Sequence, residues 1–345
     1  MSAVNPTDAR AVGQPPRPAK PSPTERARRG WNGARLRSLF GEYAVLISLV
    51  VLFVVLSFVG ENFLTKTNLL NVLDQATTLG IIATAGTLVI IAGGFDLSVG
   101  AVYAMSGVIA AEVANATDPV IGIAAGIAVG AVIGLLNGIA ISGVGINPFI
   151  ATLASSIIVR GLALAITGGF LITVTDPNFA KLGNTDFLDA KLGVWIMIAW
   201  ALAMGFLLAF TVFGRYVRAC GGNEEAARLS GLRVSVIRTA TFVISGISAS
   251  LAGVIAASRI STGESDVGVG LELTAVAAIV VGGTSIRGGQ GAIWRTVVGV
   301  LLLALISNGF NLLNIDTVYE QVVYGSIILV AVAIDALTRR GARSA

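Results

Sequence analysis

From Tyr43 onward the chain offers one apolar run after another, each joined to the next by a short polar or glycine-rich stretch. A helix needs about 20 mostly apolar residues to cross the hydrocarbon core of a bilayer. Runs of that kind lie near 43–60, 69–92, 98–114, 120–142, 148–170, 194–213, 234–258, 267–284, 292–313 and 317–338. In lipid every backbone polar group must find its partner inside the protein, so such runs fold as helices. The expected fold class is all-α: a polytopic membrane helix bundle of about ten transmembrane segments. The 267–284 run is the weakest, because Glu272 interrupts it and Gly268 and Gly270 fray its start. A full span and a re-entrant helix both fit it. Only 12% of residues are charged, about half the usual share for a soluble domain. Soluble-enzyme, disordered and disulfide-scaffold readings are therefore excluded. The 42 glycines suit helices whose backbones approach closely in lipid. No histidine is present, which removes the commonest general base and metal ligand, and Cys220 has no second cysteine to pair with.

Residues 1–42 hold six of the nine prolines and eight arginines or lysines, and read as a disordered basic tail. The run that follows lacks a small-residue cleavage pattern, so it is expected to be retained rather than removed as a signal peptide. With the N-terminus inside, 18 of the 23 Lys and Arg fall on inner segments and four on outer loops, while Arg160 lies within a span. That asymmetry is the positive-inside pattern, and it fits ten crossings with both termini cytoplasmic. The chain thus divides into the tail 1–42, a transmembrane domain 43–338 with a long inner loop at 214–233, and a short cytoplasmic tail 339–345.

Within that loop, Gly221, Gly222, Asn223, Glu224, Glu225, Ala226, Ala227, Arg228, Leu229, Ser230 and Gly231 spell a short helix with both ends specified. The Asn223 side chain suits an N-cap, and Glu224 and Glu225 favour the positive end of the helix dipole. Glu224 and Arg228 stand four apart in the favourable order. Gly231 can take the left-handed backbone that ends a helix. A well-capped surface helix would look the same. The Glu225-Ala226-Ala227 triplet followed four residues later by Gly231 also resembles the EAA loop of ABC importer permeases, the cytoplasmic helix that seats in the ATP-hydrolysing subunit. The downstream Ile-x-Leu-Pro of many such permeases is absent. That departure points to the ribose-type branch.

A second string carries the resemblance further. Gly93, Gly94, Phe95, Asp96, Leu97, Ser98, Val99 and Gly100 read as a tight inner-face turn, with glycines for the exit and Asp96 or Ser98 for the cap. The string is similar to the Gly-Gly-Ile-Asp-Leu-Ser-Val-Gly signature of ribose, xylose, arabinose and galactoside ABC permeases, with Phe95 for Ile. Asn147-Pro148-Phe149-Ile150-Ala151-Thr152-Leu153 resembles the Pro-Pro-Phe-Ile-Val-Thr-Leu segment of that family, and Gly282 to Gly291 resembles its late inner loop. These strings fall in family order, and the resemblance covers roughly 43–338.

Polar residues inside spans are costly and often functional. Arg160, near the middle of the fifth run, is expected to face a polar pathway or to pair with an acid such as Glu112. Asn137, Asn147, Phe149, Thr152 and Asn308 are further candidates for a sugar path, and cross-helix hydrogen bonding explains such residues as readily.

The resemblance implies the permease subunit of an ATP-driven monosaccharide importer in the bacterial inner membrane, forming the translocation pathway and catalysing no covalent step. It implies a separate ATP-binding subunit, with two cassettes in tandem, docked at the inner face. It also implies a periplasmic or lipoprotein sugar-binding protein above, and a second permease, commonly a homodimer partner. The chain itself has no G-x-x-x-x-G-K-[ST] loop, no metal-ligand cluster and no basic patch for nucleic acid, so neither cofactor nor nucleic acid is expected. A permease for branched-chain amino acids or a signalling sugar, and an ion-coupled secondary transporter, remain as alternatives; the Asp96-Leu97-Ser98 turn favours a carbohydrate.

Overall fold

In this computed structural model the described residues are 43–316, 318–327 and 329–330. The expected tails at 1–42 and 339–345, and both chain termini, lie outside them. Among the described residues seven helices are long and apolar enough to cross a membrane: α2 (Lys66–Ile91), α3 (Val99–Ala116), α4 (Pro119–Ser142), α5 (Pro148–Thr167), α7 (Leu192–Phe210), α10 (Val234–Ile260) and α12 (Ile293–Leu312). Each coincides with one of the apolar runs. Two shorter apolar helices match two more, α1 (Tyr43–Val59) and α11 (Leu271–Val281). At 11 residues, α11 is about 16 Å long, roughly half the hydrocarbon thickness. The last run, 317–338, falls partly outside the described residues.

Helix starts follow local chemistry. Asp118 caps α4 through Val120 N at 2.7 Å, and Asn147 caps α5 through Phe149 N at 3.0 Å. Both helices then begin with proline, whose missing N–H costs nothing there. The bundle centre is built from α2, α3 and α10, while α5 and α7 turn large apolar side chains such as Ile157, Ile158, Leu202 and Phe206 outward. Gly122, Gly126, Gly130, Gly134 and Gly138 recur every fourth residue along α4. They form one backbone stripe on which the carbonyls of Ala110, Ser106, Gly246 and Phe242 rest, with no room for a Cβ.

The all-helical expectation needs one small correction. β1 (Ile172–Thr173) pairs antiparallel with β4 (Thr262–Gly263), and β2 (Asp186–Phe187) pairs with β3 (Ala190–Lys191) after the single-turn α6 (Lys181–Asn184). Leu188 and Asp189 close the second pair, both at positive φ, as a two-residue hairpin of type I′ requires. Two-residue strands leave almost no periodic signal in a sequence.

The inner loop contains α8 (Val212–Gly222) and α9 (Glu224–Leu229). Two sets of contacts fix what lies beside α2. Arg259 pairs with Asp74 at 2.8 Å, the ninth of the 26 residues of α2. Gly289 N bonds Ile91 O at 2.8 Å, at its end. Residues 261–288 therefore pass from beside the first half of α2 to its end, first as irregular backbone and then as α11.

Candidate functional site

The short helix α9 is fixed at both ends by the residues its sequence nominates. Asn223 Oδ1 accepts from Ala226 N at 3.0 Å. At the far end Gly231 has φ +83°, Leu232 N bonds Ala227 O at 3.1 Å and Gly231 N bonds Arg228 O at 3.0 Å. Those two crossed bonds form a Schellman termination. Ala227 is buried and packs inward near Leu232, whereas Glu225, Ala226, Leu229 and Ser230 are exposed. Leu229 is 80% exposed. A small, shallow, partly apolar face is thus presented away from the bundle.

Glu224 ties that helix down. Its carboxylate accepts from Arg228 at 3.1 Å, as the spacing implies, and from Arg238 on α10 at 2.8 Å. Sequence spacing did not single out Arg238, because the pair spans fourteen residues and a turn of chain. The Arg238 hydrogen bond holds the Glu224 carboxyl below its ordinary value, with burial opposing and Arg228 adding to the effect.

Beneath α9 three glycine pairs meet. A Cβ on Gly221 would overlap Ile91 O and stand 2.8 Å from Gly289 N. Gly288 and Gly289 both have positive φ and lie against Gly221 and Gly222. Gly93, also at positive φ, turns the chain away from the end of α2 next to Gly221 and the Arg238 guanidinium. Arg218 closes the junction by donating to Gly291 O at 3.0 Å. The segment that leads into α9, the turn at 93–100 and the loop at 282–291 are therefore in direct backbone contact. Gly222, by contrast, faces open space.

The turn itself is a buried polar knot. Asp96 Oδ1 accepts from Ser98 N at 3.0 Å and from the Ser98 hydroxyl, and Asn137 Nδ2 donates to Ser98 Oγ at 2.9 Å. Thr152 donates to Pro148 O at 2.8 Å and also lies 3.2 Å from Phe95 O. Asn137 is 4% exposed and Thr152 0%, and the contacts to Ser98 and Phe95 bring α4 and α5 to this turn. Burial pushes the Asp96 carboxyl above its ordinary value, and the Ser98 hydrogen bonds pull it back. A Cβ on Gly100 would collide with Gly268 O and Glu272 Oε2, so that glycine admits the 268–272 segment against α3.

The remaining candidates are spread out. Asn147 is exposed as a helix cap and Phe149 is exposed beside it. Asn308 exchanges a reciprocal amide pair with Asn68 on α2, at 2.8 and 3.1 Å. Arg160 does not pair with Glu112. Its Nη1 donates to the carbonyls of Ser265 and Val267 at 3.1 and 3.2 Å. The reason is local: residues 264–270 are not helical, so their carbonyls lack intrahelical donors and attract the nearest guanidinium. Among the described residues no group of histidine, cysteine or carboxylate side chains could hold a metal.

Residues 68–332 match the family described as "Branched-chain amino acid transport system / permease component". The chain belongs to this permease family. The permease is also 39% identical over 299 residues to the ribose import permease protein RbsC of Escherichia coli K12, covering 85% of this chain and 93% of the relative. Against the L-arabinose transport system permease protein AraH of the same strain it is 39% identical over 307 residues, 89% of this chain and 94% of the relative. RbsC of Bacillus subtilis 168 is 40% identical over 292 residues, 84% of the permease and 91% of that protein. No solved structure matches the permease.

Proposed function

We propose that this chain is the membrane permease of an ATP-driven monosaccharide importer of the bacterial inner membrane, with α9 as its docking helix for a separate ATPase. Relatives at 39% identity over nine-tenths of their own length are named for ribose and arabinose transport, which supports a neutral pentose, hexose or related polyol as cargo. The observation that carries the coupling role is the α9 geometry: caps at both ends, an anchor through Glu224 and Arg238, and an exposed face at Glu225, Ala226 and Leu229. A groove in a partner can read such a face because its shape is fixed. The partners are an ATP-binding subunit with tandem cassettes, a sugar-binding protein at the outer face, and a second copy of this permease.

Ten crossings with cytoplasmic termini complete the reading. The passage of residues 261–288 from beside the first half of α2 to its end supports counting the weak segment as a crossing, with α11 as its helical half. Leu188, Glu225 and Arg287 are exposed. Cysteines placed there one at a time should label from outside at position 188 only. Labelling of position 287 from outside sinks the ten-span count.

Function is tested by reconstitution with the ATPase and binding protein. Uptake of labelled D-ribose, L-arabinose or another neutral sugar, stimulated by loaded binding protein, is the expected result. Leucine uptake with no sugar uptake would assign the chain to the amino-acid transporters for which its family is titled.

A further inference from the structure

Irregular backbone at membrane depth is tolerated only where protein buries it or where it lines a polar cavity. Residues 264–270 are such a segment, and a cavity of about 620 Å³ opens against it. Its lining combines the backbone of Gly268 to Leu271 with Thr78, Tyr103, Thr274, Gln321 and Tyr324. Thr78 is the thirteenth residue of the 26 in α2, so the cavity sits at mid-bundle. Gly268 and Gly270 have φ +74° and +81° and carry no side chain, so backbone forms that wall, with the Gly268 carbonyl accepting from Leu271 N and the Gly270 carbonyl from Thr274 N. Gly325 likewise carries no side chain on the facing segment.

We infer that this cavity is a resting site for the transported sugar on its way through the permease. Two tyrosine rings supply flat apolar faces, and hydroxyls, a carboxamide and backbone peptide groups supply neutral donors and acceptors. No charged side chain lines it among the described residues, which suits a neutral polyhydroxy ligand rather than an ion or an amino acid zwitterion. The volume lies in the range of about 300–1,000 Å³ typical of small-molecule sites. Thr274 bonds its own helix at Gly270 O across 3.1 Å, Tyr324 donates to Leu303 O at 3.2 Å and also lies by Ser307 and Glu320, and Tyr103 is paired with Thr78. Arg160 takes part from the other side of the segment. By holding the Ser265 and Val267 carbonyls it keeps the unwound backbone in place, and is therefore a positioning residue.

This inference rests on the sugar-permease reading, and two measurements separate them. In proteoliposomes holding the complete transporter, Thr274→Val, Gln321→Leu and the double variant are compared for uptake of labelled D-ribose and L-arabinose and for ATP hydrolysis. The expected result is uptake per ATP reduced about tenfold in the double variant, the factor that one or two lost hydrogen bonds give. Unchanged uptake per ATP overturns the site. The second measurement does not depend on transport. Thr274→Cys in a Cys220→Ala background should react with a water-soluble methanethiosulfonate, and either sugar at about 100 mM should slow that reaction, since a transient site is expected to bind in the millimolar range. A cysteine that stays unreactive, or reacts equally fast with both sugars present, overturns the site. Protection without uptake in the wild type would support the site while overturning the importer reading.

Discussion

The backbone amide of Gly289 donates to the carbonyl of Ile91 across 2.8 Å, joining residues nearly two hundred positions apart. Ile91 ends α2, where a carbonyl has lost its intrahelical donor, and Gly289 supplies one from the late inner loop. Gly221 lies in van der Waals contact with both, so the loop that carries α9 meets the core helix through backbone as well as through the apolar cluster that joins Val217, Cys220 and Ala227 to Leu88 and Ile91.

Gly221→Ala should break this junction. The added Cβ overlaps Ile91 O, a backbone atom that cannot swing aside. Overpacking of this kind costs about 1–3 kcal/mol, and the neighbouring Gly222→Ala should cost almost nothing because its Cβ meets open space. Thermal unfolding in detergent, run on the two variants side by side, checks the contrast.

Gly231→Val places a β-branched residue at φ +83°, a strain of about 1–2 kcal/mol. Glu225→Lys puts positive charge at the positive end of α9, at about 0.3–1 kcal/mol. Neither touches a span, so both variants should insert normally yet retain less ATPase on purification and lose uptake together with stimulated hydrolysis. Normal ATPase retention and uptake in Gly231→Val would reduce α9 to a well-capped surface helix.

Glu224 sets a pH dependence. Its folded pKa lies below the ordinary 4.5, chiefly through the Arg238 hydrogen bond. The stabilisation is therefore fully present above that ordinary value and is lost as pH falls through the lower folded one. The carboxylate is 41% exposed, so solvent screening limits the pair to about 1 kcal/mol or less. Glu224→Gln should cost that amount at pH 7 and nothing in strong acid, measured as the shift in unfolding midpoint.

Asp96 has the opposite sign. Burial raises its folded pKa above the ordinary 3.8, so its favourable contribution is present below that value and is lost as pH rises through the raised one. Asp96→Asn keeps an acceptor for Ser98 N and Oγ while removing the buried charge. It should match or exceed wild-type stability at pH 7, whereas Asp96→Ala should lose about 1–3 kcal/mol by leaving the Ser98 amide unpaired. A destabilised Asn variant would mean the charge itself is needed.

Arg160→Met should strand the Ser265 and Val267 carbonyls and cost about 1–3 kcal/mol. Glu112→Gln should be near neutral, since Glu112 is exposed and unpaired with Arg160 among the described residues. Comparable losses in both would restore the carboxylate as the arginine's partner.

Local order settles much of this molecule. Runs of apolar residues placed the seven long helices, because in lipid a helix is the one way for such a run to satisfy its own backbone. Asn223, Glu224, Arg228 and Gly231 specified α9 to the residue, since caps, dipole charges and i,i+4 pairs act within one turn. The four-residue spacing of the α4 glycines gained its meaning only from the carbonyls that the fold packs against it. Tertiary structure decided everything that joins distant segments: Glu224 to Arg238, Arg160 to two carbonyls, Asn308 to Asn68, and Ile91 to Gly289 through Gly221. It also brought Asn137 and Thr152 into hydrogen-bonding distance of the Asp96 turn, and gave the weak eighth run an eleven-residue helix. Periodicity and capping report the free energy of neighbours along the chain. An orphan carbonyl finds its donor only once the whole chain has packed, and no spacing in the sequence records which donor that will be.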